Sequence, residues 1–259
     1  MVEHRDGGRT RAVVVVGIGP GDPDLVTQEA LAALGEVDVV LGFDKGERTR
    51  ELHDVRQAVL ERARGGRTCR VVEIRDARRS DAVSYAEAVR RWHGSRADSV
   101  ERALVEDVAD GEVVGILVWG DPSLYDSTLR VLDEVHARGR VAVNVRVVAG
   151  ISSLALLTAR HRIPLHAVGG AVLITTGRRL AVGLPDGIDD VVVFLDAECG
   201  FTRFRGEGWD LYWGAFLGMP DEELLAGAVD EVADLVVRRR SELRARHGWV
   251  FDLYLLRRQ

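Results

Sequence analysis

The residues of this chain that can do chemistry gather in turns that follow apolar runs. Trp119-Gly-Asp-Pro-Ser-Leu-Tyr125 comes directly after Val113-Val-Gly-Ile-Leu-Val118 and before a helical pattern that starts near Leu124. In open α/β sheets, ligands sit at the C-terminal ends of such strands. Gly120 lets a ligand approach the backbone closely. Asp121 sets a carboxylate at the strand tip, and Pro122 opens the next turn or helix because it cannot continue a central strand. Gly17-Ile-Gly-Pro-Gly-Asp-Pro23 follows another apolar run, and Ala149-Gly-Ile-Ser-Ser153 a third. Taken singly, each turn is equally compatible with a plain strand–turn–helix junction that carries an N-terminal cap.

The first turn falls short of a dinucleotide-binding loop. Gly-x-Gly-x-x-Gly requires glycine where this chain has Asp22. Pro20 removes an N–H that a pyrophosphate would use, and the carboxylates of Asp22 and Asp24 repel phosphate oxygens. A Walker motif is absent as well. The turns therefore suit a ligand that is cationic or free of phosphate. A carboxylate at position 121 suits a ribose hydroxyl, an amino group or the field of a sulfonium. S-adenosylmethionine carries all three and no phosphate.

Positioning these turns requires a regular α/β frame, and the rest of the chain reads as one. Residues 11–17 form a β-branched run typical of a strand buried on both faces. Further strands are expected at residues 37–41, 69–74, 113–118 and 141–148, with helical spacing over residues 27–34, 45–64, 81–109 and 124–138. The 81–109 stretch is long and highly charged, with a break expected near Gly94. Strands alternating with helices argue for a parallel sheet covered on both faces. After Ile163-Pro164 the rhythm changes. Strands are expected near residues 171–175, 190–195, 211–216 and 250–256, and residues 224–237 include helix. The resulting expectation is a flexible tail (1–10), an N-terminal α/β domain (11–149) and a C-terminal α/β domain (150–259) with a mixed sheet.

Composition sets outer limits. The chain has 259 residues, 46% of them hydrophobic, a formal net charge of −6 and two cysteines. That length can bury roughly 70–75% of the unfolded surface. The charge argues against a nucleic-acid surface. No apolar run approaches a membrane helix, and the N-terminal residues do not form a signal peptide. Cys69 and Cys199 read as reduced thiols of a cytoplasmic protein, and no Cys/His spacing suggests a metal site. Lys45 is the only lysine, so arginine clusters reflect a compositional bias more than a site.

Taken together, the turns resemble the tetrapyrrole methylase family. The match runs through Gly17-Ile-Gly-Pro-Gly-Asp-Pro23 with Leu25-Val-Thr27, then Gly120-Asp-Pro122, then Gly150-Ile-Ser-Ser153 followed by Ile163-Pro164, over essentially the whole chain. Within the family, residues 119–129, 194–201 and 209–222 are most similar to the subgroup that methylates precorrin-5. The resemblance implies two α/β domains with an active-site cleft between them, S-adenosylmethionine as cofactor and a homodimer. It implies that Pro20, Gly120, Asp121, Leu124, Ser152, Ser153, Leu195 and Gly214 contact the cofactor. Trp119 departs from the glycine common at that position and would place an indole at the rim.

The resemblance further implies methylation of a corrin precursor at a ring-A carbon with loss of an acetyl group. Acetyl loss calls for a base that activates water, and Asp22, Asp126, His166, Asp196 and Glu198 are the candidates. The many carboxylates of the macrocycle call for cations, for which Arg48, Arg50, Arg160, Arg162, Arg178 and Arg179 lie near loops. Trp209, Tyr212, Trp213 and Phe216 can line the macrocycle, although strand alternation would bury half of them. Two alternatives stay open at this level: a related methylase with another acceptor, and a nucleoside-binding module without turnover.

Overall fold

The computed structural model describes residues 10–44, 50–75 and 85–259. They form two compact units that divide between Ile151 and Ser152. Residues 1–9, expected as a tail, lie outside the described residues.

In the first unit β1 (Thr10–Gly17), β2 (Val39–Asp44), β3 (Arg70–Arg75), β4 (Val113–Val118) and β5 (Ala142–Val148) form one sheet in the order β3-β2-β4-β1-β5. Every pairing is parallel, and Val15 of β1 lies between Ile116 and Val147. The helices are α1 (Gln28–Gly35), α2 (Arg50–Arg64), α3 (Tyr85–Glu106) and α4 (Thr128–Arg138). Val13 and Val15 pack with Leu104, Val131 and Leu132 of α3 and α4, whereas Val14 and Val16 pack with Ala30, Leu34, Val59 and Leu60 of α1 and α2. Burial on both faces explains why β1 reads as an unbroken β-branched run instead of an alternation.

This layering also sets a candidate ligand position. The chain leaves β1 towards the α1 face and leaves the adjacent β4 towards the α4 face. Neighbouring strands whose connections part to opposite faces open a crevice at their C-terminal ends. The first and second turns stand at those two ends.

Local expectations need correction here. The break near Gly94 does not occur, and α3 runs through it. A helical glycine costs roughly 1 kcal/mol, but Ala97, Val100 and Leu104 form a buried stripe that outweighs it. Helix α4 starts at Thr128, not near Leu124, because Leu124 N–H donates to Asp121 C=O at 3.2 Å and Tyr125 adopts a left-handed backbone at φ 52.

The second unit holds β6 (Val172–Thr176), β7 (Asp190–Phe194), β8 (Trp209–Ala215), β9 (Glu223–Ala228) and β10 (Asp252–Arg258) in the order β6-β7-β10-β8-β9. β6 and β7 are parallel and the other pairs antiparallel, giving the expected mixed sheet. Its helices are α5 (Ser153–His161), the single turn α6 (Gly177–Leu180) and α7 (Val229–His247). On one face Trp209, Leu211, Trp213 and Ala215 of β8 pack with Val229, Ala233 and Val236 of α7. On the other, an added Cβ on Gly214 would reach Leu157 of α5 at 2.8 Å.

The alternation settles the aromatic set. Trp209, Trp213 and Phe216 are core, each 0–1% exposed, so they do not line a macrocycle. Tyr212 points to the opposite face, edge-on to His161 at 5.6 Å. Residues 224–237, expected to include helix, hold the start of α7 and, before it, most of the edge strand β9.

No helix among the described residues is long and apolar enough to cross a membrane. Nor do the described residues contain a His/Cys/Asp/Glu group that could hold a metal ion.

Candidate functional site

The C-terminal ends of β4, β1 and β5 lie side by side, and their turns are stitched together through main chain. Ile18 N–H donates to Val118 C=O at 2.9 Å. Gly19 and Gly120 form an isolated bridge, with Gly120 N–H to Gly19 C=O at 2.8 Å and Gly19 N–H to Gly120 C=O at 3.2 Å. The third turn is tied in by a side chain, as Gly150 N–H donates to Asp121 Oδ2 at 2.9 Å. Asp121 Oδ1 accepts from Ser123 N–H at 2.8 Å and from the Ser123 hydroxyl.

These backbones meet closely because glycine stands at each crossing. A Cβ on Gly17 would lie 2.5 Å from Gly150 N, and a Cβ on Gly150 would lie 2.1 Å from Gly120 C=O. Gly17 and Gly150 are structural members of the site that motif reading passed over. The signal available in the sequence was a glycine at the end of each strand. Burial opposes ionisation of Asp121, but the Ser123 hydroxyl, Gly150 N–H and Ser123 N–H outweigh it and hold the carboxyl below its usual range.

Around this knot, Pro20 is buried in the first turn. Asp22 caps the short 3-10 turn Pro23–Leu25 by accepting from Asp24 N–H at 2.8 Å. Asp24 pairs with Arg62. Leu124 is half-buried, and Tyr125 beside it is 44% exposed despite its left-handed backbone. Asp126 accepts from the N–H of Thr128, the first residue of α4, at 2.6 Å, while Ser127 is the N-cap. Asp126 also lies in the field of Arg56, a half-buried cation on α2 whose pKa burial lowers and Asp126 raises. Trp119, expected at the rim, packs partly buried against the α1/α2 face of the core.

In the second unit Ser152 is the N-cap of α5, accepting from Ala155 N–H at 3.2 Å, and Ser153 is the first helical residue. Leu195 follows β7, 69% exposed at φ 52. Gly214 lies in β8, where an added Cβ would come within 2.8 Å of a Leu157 methyl and 2.9 Å of a Leu217 methyl. His166 is exposed, with Nδ1 2.8 Å from Ala167 C=O. A carbonyl only accepts, so in this contact Nδ1 carries a proton and is the donor. Glu198 is exposed. Asp196 drops out of the set of bases: it is 6% exposed and its oxygens accept from Glu198 N–H, Gly200 N–H and Tyr254 OH.

Among the arginines, Arg160 pairs with Glu222 at 2.8 Å and Arg162 closes α5 with a left-handed backbone. Arg178 and Arg179 are exposed on α6. Arg50 opens α2, and Arg48 lies outside the described residues.

At the first unit's rim the N–H groups of Gly19, Gly120 and Gly150 are committed within the turns and Pro20 has none, so these four positions offer no backbone donor to a phosphate. What the turns offer instead is an ionised carboxylate, carbonyls and apolar surface. A carboxylate has roughly four acceptor positions. Asp121 has filled two on Oδ1 and one on Oδ2, which leaves one for a hydroxyl or amino donor.

Comparison with known proteins agrees with this geometry. A family model, Tetrapyrrole (Corrin/Porphyrin) Methylases, matches residues 12–233. A precorrin-6A synthase [deacetylating] from Sinorhizobium sp is 42% identical over 249 residues, covering 96% of this chain and 95% of that protein. A solved structure from Corynebacterium diphtheriae, described as a cobalamin synthesis related protein (CobF), superimposes with a TM-score of 0.81 at 33% identity, covering 96% of this chain and 98% of that one. The fold extends to uroporphyrin-III C-methyl transferase from Thermus thermophilus, solved with S-adenyl homocysteine, at a TM-score of 0.57 and 20% identity over 95% and 96% of the two chains.

Proposed function

The chain belongs to the tetrapyrrole (corrin/porphyrin) methylases, and from that premise we propose that it is an S-adenosylmethionine-dependent C-methyltransferase of cobalamin biosynthesis, a deacetylating precorrin-6A synthase. It methylates precorrin-5 at a ring-A carbon and releases the acetyl group there as acetate, with S-adenosylhomocysteine as the other product. The observation that carries the reading is identity to the Sinorhizobium enzyme along nearly the full length of both chains. The carboxylate of Asp121 at the tip of β4, held ionised by Ser123 and Gly150, supports it independently.

When bound, S-adenosylmethionine supplies an electrophilic methyl group. The electron-rich macrocycle is itself the nucleophile, so the chain's work is orientation, which can supply roughly 7–11 kcal/mol of a barrier. Pro20, Gly120, Asp121 and Leu124 of the first unit and Ser152, Ser153, Leu195 and Gly214 of the second are the residues proposed to hold the cofactor. Asp121 offers its remaining acceptor position to a ribose hydroxyl or amino group. Arg56 is the cation proposed to meet a macrocycle carboxylate. The enzyme is further proposed to work in the cytoplasm as a homodimer, and light scattering on the purified protein tests its oligomeric state.

Acetyl loss requires hydration of the carbonyl and cleavage of a carbon–carbon bond. A base for that step needs reach to the attacking water and a pKa near working pH. Asp22, Asp126 and His166 are the proposed candidates. Assays with S-adenosylmethionine and a panel of precorrins test both parts. Precorrin-5 is expected to be the acceptor that yields acetate. One of Asp22→Asn, Asp126→Asn or His166→Ala is expected to give a methylated product that keeps its acetyl group. Methylation of another precorrin in place of precorrin-5 would overturn the substrate. If all three variants slow both halves equally, or none changes acetate release, the macrocycle drives deacetylation unaided and no protein base is needed.

A further inference from the structure

Leu195 is hard to explain by the stability of its own unit. A left-handed backbone is sterically unfavourable for a non-glycine residue, and at 69% exposure the side chain recovers little through burial. Asparagine or glycine would fit this backbone better. Strain retained at an exposed apolar residue points to something the side chain touches when the site is filled.

The residue after it is the most heavily bonded carboxylate of the second unit. Asp196 Oδ1 accepts from Glu198 N–H at 3.0 Å, and Oδ2 accepts from Gly200 N–H and Tyr254 OH, both at 2.6 Å. Its own carbonyl accepts from Arg240 Nη2 at 3.0 Å, while Arg240 Nε pairs with Asp252 at 2.8 Å and Trp213 Nε1 donates to the same Asp252 oxygen at 3.0 Å. Tyr254 in turn meets Phe201 edge-on at 5.1 Å. Space for the carboxylate is cleared by glycines, since a Cβ on Gly177 would lie 2.4 Å from Asp196 Oδ1 and one on Gly200 3.1 Å from Oδ2. One side chain thus joins the tips of β6 and β7, the 3-10 turn Gly200–Phe204 and the central strand β10. Cys199, at φ 54, gives the same loop its second left-handed residue.

We propose that Asp196 is a positioning residue: its buried carboxylate clamps the 195–200 loop so that Leu195 stands out, left-handed and exposed, to form an apolar face against the bound cofactor. The inference rests on the reading above that Leu195 contacts S-adenosylmethionine. A fully satisfied buried network rigidifies what it holds, and a preformed contact surface loses less entropy on binding.

The test is a double-mutant cycle on the full chain, read by calorimetric S-adenosylmethionine binding and by thermal melting. Leu195→Ala should weaken binding at least about tenfold, the scale of about 1.4 kcal/mol, without lowering the melting temperature. Asp196→Asn should lower the melting temperature and weaken binding by a similar factor. The double variant should bind no worse than the weaker single variant, because both changes remove the same contact. A purely structural Asp196 would give multiplicative losses in the double variant, or normal binding in Asp196→Asn, and either result overturns the proposal. If Asp196→Asn does not fold, Tyr254→Phe removes one donor alone and should show the same non-additivity with Leu195→Ala. Normal binding by Leu195→Ala refutes the inference and leaves the proposed function standing, whereas a wild-type chain that does not bind S-adenosylmethionine refutes the proposed function itself.

Discussion

Gly150→Ala is expected to abolish measurable cofactor binding and to lower the melting temperature by roughly 2–12 °C. The added methyl would sit 2.1 Å from Gly120 C=O and 2.7 Å from the Gly17 carbonyl carbon. These are main-chain atoms at the ends of buried strands, so neither can rotate away. Relief requires separating the third turn from the first two, which breaks the Asp121–Gly150 hydrogen bond and the packing around it. Overpacking of this kind costs about 1–3 kcal/mol, and in a domain of this size each kcal/mol moves the melting temperature by roughly 2–4 °C. Gly35→Ala is the control, because its methyl meets only Ala63 C=O at an ordinary 3.5 Å. Parallel melts and titrations check the expectation. Equal behaviour of the two variants would show that the three turns do not depend on close backbone approach.

Asp121→Ala is expected to retain the fold while weakening S-adenosylmethionine binding about tenfold or more, the scale of one lost charge-assisted hydrogen bond at about 1.5–3 kcal/mol. Some stability should go with it, since Gly150 N–H and the Ser123 donors lose their acceptor. The sign of the pH dependence follows from the depressed pKa. The ionised form is favoured in the folded state, so the Asp121 contribution is fully present above the unfolded value of about 3.9. It is lost as pH falls through the lower folded value. The melting-temperature gap between wild type and Asp121→Ala should therefore be constant near neutral pH and close under strongly acid conditions. A gap that widens with acidity, or unchanged affinity in a folded variant, would refute this role.

How far the sequence could be read depended on how local each cause was. The run Val13-Val-Val-Val16 announces a strand buried on both faces because each residue separately needs cover, and the structure provides it. The strand–turn–helix junctions were legible for the same reason, as was the alternation that builds a parallel first sheet and a mixed second one. The start of α4 was misplaced because the left-handed turn at Tyr125 has no glycine to mark it. Strand β9 was hidden because Leu224-Leu-Ala-Gly-Ala228 is too short to separate strand from helix by periodicity. Long-range ties leave no local trace at all. Nothing near Asp121 indicates that its second oxygen is reserved for Gly150, and nothing near Asp196 indicates that Tyr254 will bury it. For that reason Asp196 stood among five candidate bases, whereas its oxygens are committed to Glu198 N–H, Gly200 N–H and Tyr254 OH. Trp213 looked like a pocket wall and instead packs into a core, while Trp119 is partly buried at the tip of β4.

The central claim is a single turnover that couples methyl transfer to acetyl loss. The most direct test incubates the purified chain with precorrin-5 and S-adenosylmethionine and quantifies S-adenosylhomocysteine and acetate in the same sample. The account predicts that both appear together in equimolar amounts, with precorrin-6A as the corrinoid product. S-adenosylhomocysteine accumulating without acetate, or binding of S-adenosylmethionine with no turnover of precorrin-5, would contradict it.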